Sequence, residues 1–122
     1  MTAKEIFDIW YKHDGLEPSV RAELERIKDD PSAIEDCFGT ELAFGTAGLR
    51  GVLGAGPGRM NVYTVSKATQ GFANYLNKNF ESPKVAIAYD SRNMSKEFAE
   101  AAALTLCANN VKVYLYESLR PT

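Results

Sequence analysis

The stretch that decides the fold is residues 84–116, KVAIAYDSRNMSKEFAEAAALTLCANNVKVYLY. Residues 84–89 are short, β-branched and mostly apolar, which predicts a strand buried on both faces. Ser95 can cap a helix that follows, and Asn109-Asn110 suits the left-handed turn that ends it. The apolar end of the stretch predicts a second strand. A strand, a helix and a strand over about thirty residues predict a βαβ unit with parallel strands.

Residues upstream of this unit predict helices. Thr2 and Glu5 have capping-box spacing, in which each side chain satisfies a backbone N–H at a helix start. Pro18 opens a second helix and Pro31 a third, because proline is favoured in the first helical turn. Asn61 is a good N-cap for a longer amphipathic helix. The faces of these helices are predicted to be packing surfaces without chemistry.

These elements predict an α/β fold in which N-terminal helices precede a βαβ unit of a mixed, mostly parallel sheet. We expect a helical extension over residues 1–40 and an incomplete α/β domain over residues 41–122. The boundary is placed where the composition changes from helix-forming residues to glycine.

Composition and charge disfavour several classes of function. The chain has 122 residues, of which 45% are hydrophobic and 25% charged, as is typical of a soluble globular domain. Its net charge of −2 gives no basic stripe, so we expect no nucleic-acid partner. The apolar runs are too short to span a membrane and the start does not resemble a signal peptide, so we expect a cytoplasmic protein without a membrane partner.

Histidine and cysteine are too sparse for a relay or a metal site within the chain. His13 is the only histidine, and no Cys/His cluster is present, so a zinc site or a Ser-His-Asp relay is disfavoured. Cys37 and Cys107 are isolated, and we expect free thiols that serve as small packing groups in a reducing compartment.

A glycine-rich segment, residues 44–59 with the sequence FGTAGLRGVLGAGPGR, is the first candidate site. We predict a loop here. Arg50 lies between Gly48 and Gly51, so backbone can approach a ligand while the guanidinium offers paired hydrogen bonds to phosphate oxygens. Thr46 adds a hydroxyl. The segment has neither a Walker A sequence nor a GxGxxG turn between a strand and a helix, so an ordinary surface loop remains an alternative.

The second candidate site is the turn Asp90-Ser91-Arg92. Ligands of open parallel sheets bind beyond the carboxyl ends of the strands, and this turn follows the first predicted strand directly. The alternative interpretation is that Asp90 and Ser91 only turn the chain while Arg92 pairs with a surface carboxylate.

Three ordered motifs carry a resemblance to a known family. Residues 44–51, then Arg59-Met60-Asn61 leading into a helix, then residues 89–95 are similar to the N-terminal domain of the α-D-phosphohexomutases. The branch that it resembles contains phosphoglucomutases and phosphomannomutases, and includes phosphopentomutase-like members. The resemblance covers about residues 41–122.

The resemblance implies an intramolecular phosphotransferase that moves a phosphoryl group within a hexose or pentose phosphate through a phosphoserine. It also implies Mg²⁺ and a sugar 1,6-bisphosphate activator in the complete enzyme. Arg50 would then act catalytically beside the phosphoserine loop, and the residues implied to bind phosphate are Thr46, Gly48, Arg50, Ser91 and Arg92. Asn93 departs from the histidine that this branch carries, which weakens any role for its side chain.

The resemblance further implies that the phosphoserine loop follows Thr122, so we interpret the chain as a domain fragment that holds no metal ligand. Only two strands are predicted with clear patterns, and such a small sheet favours association, so we expect a homo-oligomer. Two other functions remain open at this point. The chain could be a stand-alone phosphate-binding or regulatory module, or a non-catalytic assembly fragment.

We expect this 122-residue chain by itself to have no mutase activity, even with Mg²⁺ and a sugar 1,6-bisphosphate. Neither Thr46 nor Ser91 lies in a Ser-His-Asn-Pro context, and phosphoryl transfer depends on a positioned nucleophile and on electrostatic stabilisation. A coupled assay for conversion of glucose 1-phosphate to glucose 6-phosphate measures this, beside a protein extended through the later domains. Comparable turnover by the two would contradict the prediction.

Overall fold

The computed structural model describes residues 1–42, 44–45, 48–49 and 51–116, with only the backbone of Phe44 and Gly45. The chain divides into two compact units, Met1–Thr64 and Val65–Thr122. Each unit is described by itself below. The proposed domains, residues 1–40 and 41–122, stay a prediction.

The first unit begins with three helices, as the sequence predicts. They are α1 (Ala3–Lys12), α2 (Pro18–Ile27) and α3 (Pro31–Phe38). The capping box is confirmed, because the Thr2 hydroxyl accepts from the Glu5 N–H at 3.2 Å and the Glu5 carboxylate accepts from the Thr2 N–H at 3.1 Å. Asp30 caps α3 through its carboxylate, which accepts from two backbone N–H groups. Local capping therefore sets where α1 and α3 start, whereas α2 begins at Pro18 without a side-chain cap.

An aromatic cluster forms much of the core of the first unit. The Phe7 and Phe38 rings meet edge to face with centroids 5.4 Å apart. The Trp10 ring packs edge to face against the rings of Phe38 and Tyr63, with centroid distances of 5.5 Å and 5.6 Å. Leu24 is fully buried beside them. These contacts pack the three helices together with Tyr63, which lies near the start of the next helix.

The glycine-rich segment contains a short hairpin where the sequence predicts a loop. Strand β1 (Phe44–Gly45) pairs antiparallel with β2 (Gly48–Leu49), so that Phe44 faces Leu49 and Gly45 faces Gly48. Gly48 has a φ of +102°, which a residue with a Cβ rarely adopts. Strands of two residues are too short for a periodic pattern, and the sequence therefore does not reveal them.

The second unit contains the predicted βαβ arrangement, and the α/β fold class is confirmed. Helix α4 (Val62–Asn79) spans the boundary between the units and is followed by β3 (Lys84–Ile87), α5 (Ser95–Ala108) and β4 (Lys112–Leu115). Strands β3 and β4 are parallel, with Lys84 opposite Lys112 and Ile87 opposite Leu115. The core of this unit combines both helices with one face of the sheet, through Ala73, Leu76, Val85, Ile87, Leu106, Val111 and Val113.

Two expectations about this unit are wrong. Strand β3 is not buried on both faces, since its side chains alternate between exposed and half-buried. Ser95 is not the N-cap of α5, because Met94 occupies that position with a φ of +67° and makes no side-chain cap. The Ser95 hydroxyl instead accepts from the Asp90 N–H at 3.2 Å. The Ser95 hydroxyl, which the sequence predicts to cap the start of α5, therefore bonds to the turn before that helix.

The two cysteines are free thiols, as predicted, but only Cys37 is buried, whereas Cys107 is exposed. The expectation that Cys107 packs inside is therefore wrong. Burial raises the pKa of the Cys37 thiol above its ordinary value. No helix in the described part of the chain has the length and apolar character that a membrane crossing requires.

Replacing Gly56 by alanine should destabilise the first unit. Gly56 has a φ of +104°, and an added Cβ would collide with the backbone carbonyl of Cys37. We expect a loss of at least about 1–3 kcal/mol in the free energy of unfolding, measured by urea denaturation with Trp10 fluorescence. Gly15→Ala is the matched control, because Gly15 also has a positive φ, of +80°, but no atom lies within 4 Å of its added Cβ. Equal losses in the two variants would contradict the steric argument.

Candidate functional site

Backbone hydrogen bonds hold the glycine-rich hairpin at both of its ends. On the side of β1, the Leu42 N–H donates to the Pro57 carbonyl at 2.8 Å. On the side of β2, the Met60 N–H donates to the Val52 carbonyl at 2.7 Å, and the Gly54 N–H donates to the Met60 carbonyl at 3.0 Å. Residues 52–60 therefore form a hydrogen-bonded base that follows β2 in the chain and that accepts a hydrogen bond from Leu42 on the side of β1.

Asn61 organises this base. Its side chain is buried, with the residue 4% exposed. The amide Nδ2 donates to the carbonyls of Gly54 at 2.8 Å and Gly56 at 3.0 Å. Its Oδ1 accepts from the N–H groups of Tyr63 and Thr64, each at 3.0 Å. The predicted N-cap is confirmed, and one buried amide also connects the start of α4 to the glycine-rich segment.

Two contacts with the preceding helices, one to a side chain and one to a backbone carbonyl, complete the support of the base. The Glu23 carboxylate on α2 accepts from the Ala55 N–H at 2.9 Å. Arg59 donates through Nη1 to the Asp36 carbonyl at 3.0 Å. Sequence reasoning missed the role of Glu23, because its partner lies 32 positions away and the residue reads as part of the polar face of a helix.

The structure covers the predicted residues of this segment only in part. Thr46 and Arg50 lie outside the described residues. Gly48 lies in β2 with its positive φ and is half-buried. The assignment of these three residues to a phosphate site stays a prediction.

The second candidate turn is tightly hydrogen-bonded within itself. The Asp90 Oδ1 accepts from the Arg92 N–H at 3.0 Å, and its Oδ2 accepts from the Arg92 Nε at 2.7 Å. The Asp90 side chain is 12% exposed, whereas that of Arg92 is 78% exposed. Ser91 is exposed between them. Arg92 thus pairs with a carboxylate, as the turn interpretation expects, although that carboxylate belongs to its own turn.

Hydrogen bonding keeps the Asp90 carboxylate ionised. The backbone N–H of Arg92 is the largest cause that lowers the pKa of Asp90, and the Arg92 guanidinium and the Ser95 hydroxyl act in the same direction. An anion that binds at Arg92 must therefore compete with a negative charge already held there. The glycine-rich segment and this turn lie in different units, and each is described separately.

The described residues do not form a metal site. They contain no group of three His, Cys, Asp or Glu side chains placed to hold a metal ion. These described residues therefore do not fit a resident Mg²⁺. An apolar cleft of about 220 Å³ lies among the helices, lined by Ile9, Trp10, His13, Leu16 and Tyr63, and it contains none of the predicted site residues.

Known proteins match most of this chain. The family model described as phosphoglucomutase/phosphomannomutase, alpha/beta/alpha domain I, matches residues 41–122. A phosphoglucomutase of Staphylococcus epidermidis is 47% identical over 88 residues, which cover 72% of this chain and 16% of that protein. One of Staphylococcus haemolyticus has the same identity and coverage. One of Staphylococcus aureus is 42% identical over 101 residues, which cover 81% of this chain and 18% of that protein.

The matched part of the chain therefore spans less than a fifth of the length of these relatives. No solved structure matches the chain.

Arg92→Ala should raise the pKa of Asp90 only part of the way to its ordinary value. The substitution removes the guanidinium but keeps the backbone N–H, which is the larger cause of the lowered pKa. Because the folded-state pKa is depressed, the contribution of Asp90 to stability is present above the ordinary pKa and is lost as the pH falls through the folded-state value. An NMR titration of the Asp90 carboxyl carbon measures this.

The matched control is Lys96→Ala, which removes a nearby exposed cation that makes no contact with Asp90. It should leave the titration unchanged. A pKa of Asp90 in the native chain equal to that in the urea-unfolded chain would contradict the hydrogen bonding described here.

Proposed function

The chain belongs to the phosphoglucomutase/phosphomannomutase family, and we propose that it supplies the first α/β domain of an enzyme that transfers phosphoryl groups within a sugar phosphate. The observation that carries this proposal is the family match over residues 41–122, which includes both the glycine-rich hairpin and the Asp90 turn. The relatives in three staphylococci are named phosphoglucomutases, which supports a hexose phosphate as the substrate.

The glycine-rich hairpin is proposed to contact phosphate. Phosphoryl transfer needs positioned groups and charge stabilisation more than covalent chemistry from the protein. A serine phosphate carries close to two negative charges, and a second phosphate must be brought opposite it. We propose that Arg50 offsets this charge with its guanidinium fork, while Thr46 and Gly48 contribute a hydroxyl and a backbone N–H. The positive φ of Gly48 supports this assignment, because it favours glycine, whose missing Cβ lets a ligand approach the backbone closely.

Ser91 and Arg92 are proposed as weaker phosphate contacts than Arg50. Both residues are exposed, so a ligand can reach them. Since the Arg92 Nε already donates to Asp90 at 2.7 Å, we propose that its terminal Nη groups make the contact. The nearby carboxylate reduces the attraction of this turn for an anion.

The remaining proposals follow from the family and not from the contacts of this chain. We propose that the complete enzyme uses Mg²⁺ and a sugar 1,6-bisphosphate, with metal ligands supplied by residues other than those described here. A phosphoserine nucleophile and a cytoplasmic location are proposed on the same basis. Self-association of the chain also stays a prediction, supported by the exposure of Tyr114 and Leu115 on β4.

Arg50→Ala in the complete mutase should reduce turnover and leave folding nearly unchanged. A charge-assisted hydrogen bond is worth about 1.5–3 kcal/mol, so kcat/KM should fall by about 10- to 150-fold. The measurement is steady-state kinetics with glucose 1-phosphate beside a thermal unfolding curve.

Arg26→Ala serves as the control, because Arg26 is a largely exposed arginine on α2 whose described ion pair, with Glu23, is 3.5 Å long. It should retain wild-type kinetics. Wild-type kinetics in Arg50→Ala would reject the role proposed for Arg50.

A further inference from the structure

The contacts of Asn61 exceed what capping a helix requires. An N-cap side chain needs only an oxygen that accepts from the first free N–H groups, and serine, threonine or aspartate serve equally well. The Oδ1 of Asn61 does this for Tyr63 and Thr64. Only the amide adds a separate nitrogen with two N–H donors beside the capping oxygen, and this Nδ2 points to the carbonyls of Gly54, Gly56 and Arg59 at 2.8, 3.0 and 3.4 Å. The contacts with the glycine-rich loop, and not the capping of α4, therefore favour asparagine over another capping residue at position 61.

The carbonyls that Asn61 holds belong to the base of the hairpin. Gly54 is bonded through its own N–H to the Met60 carbonyl, and the Met60 N–H is bonded to Val52. Val52 lies two positions after Arg50 in the sequence. Pro57, which follows Gly56, accepts from Leu42 on the other side of the hairpin. From this single buried side chain, one further hydrogen bond reaches Leu42 on the side of β1, and two further hydrogen bonds reach Val52 on the side of β2.

The burial of Asn61 makes this arrangement sensitive to change. Thr64 also stabilises the base of the hairpin, because its hydroxyl donates to the Arg59 carbonyl at 2.9 Å. A buried carbonyl that loses its donor and cannot reach water costs more than an exposed one. Without the Nδ2 donors, the base of the hairpin must rearrange or remain unsatisfied.

We propose that Asn61 is a positioning residue that sets the geometry of the glycine-rich hairpin and, through it, the placement of Gly48, one of the proposed phosphate contacts. This inference rests on the proposed phosphoryl-transfer function for its catalytic consequence. Its structural part, the clamping of the hairpin base, is independent of that function. Asn61 acts through other residues and does not itself contact the substrate.

The test compares two substitutions that both preserve helix capping. Asn61→Ser keeps an oxygen for the Tyr63 and Thr64 N–H groups but removes the Nδ2 donors to the loop carbonyls. Asp30→Ser makes the equivalent exchange at the start of α3, where the side chain contacts only Ser32 and Ala33. Differences between the two variants therefore report the loop contacts and not the loss of a cap.

The first measurement is amide hydrogen exchange of the 122-residue chain, observed at Gly54 and Met60. Asn61→Ser should increase the exchange rate of both amides by about tenfold or more, because the carbonyl contacts that hold the base are lost. Asp30→Ser should leave these two rates unchanged. Unchanged exchange at Gly54 and Met60 in Asn61→Ser would overturn the proposal. If Asn61→Ser fails to fold, Thr64→Val, which removes the hydroxyl contact to Arg59, is measured in the same way and should also increase both rates.

The second measurement is the kinetics of the complete mutase at a temperature where the variants are folded. Asn61→Ser should lower kcat by about 10- to 100-fold, with a smaller change in KM, since misplaced groups affect the transition state most. Asp30→Ser should match the wild type. Faster exchange with unchanged kcat would overturn the positioning role. If the wild-type enzyme shows no mutase activity, the proposed function fails, and the exchange comparison alone then decides whether Asn61 clamps the hairpin.

Discussion

The first unit depends on one buried amide whose donors and acceptor are used at the same time. Asn61 begins α4 with its oxygen and holds the glycine-rich carbonyls with its nitrogen. In the described residues, every buried side-chain nitrogen or oxygen has a hydrogen-bond partner, so this polar cluster is compatible with burial. A glycine-rich segment has few side chains of its own to pack, and its conformation must therefore come from backbone contacts such as these.

The N-terminal helices help to hold the backbone of the glycine-rich segment. Their sequence shows only amphipathic faces and caps, and their aromatic core packs around Phe38. Glu23 on α2 holds the Ala55 N–H, while Tyr63 at the start of α4 accepts the Glu17 N–H at 2.7 Å. The helices thus support the backbone of the segment that the family match assigns to the mutase domain. The N-terminal helices in this way stabilise the glycine-rich segment that follows them.

The second unit differs from the first in that it places a charged turn after a parallel strand. Asp90 lies three positions after the end of β3, and its carboxylate accepts from both the backbone and the side chain of Arg92. This turn is rigidified by local hydrogen bonds and lowers the pKa of Asp90. The same contacts limit how strongly Arg92 can attract a phosphate, because a pre-existing ion pair must be disrupted or shared.

The sequence by itself determined the starts of α1 to α4, the βαβ unit, the parallel pairing and the family, because capping, periodicity and ordered motifs depend on residues close together in the chain. It also indicated both candidate segments of the site. Only the tertiary structure decided that one face of β3 stays exposed, that the Ser95 hydroxyl serves Asp90, and that Glu23 and the Asn61 nitrogen hold the glycine-rich backbone. Glu23 and Ala55 are 32 positions apart, and such a contact arises only when packed helices bring a carboxylate to an unpaired N–H, which no local pattern encodes.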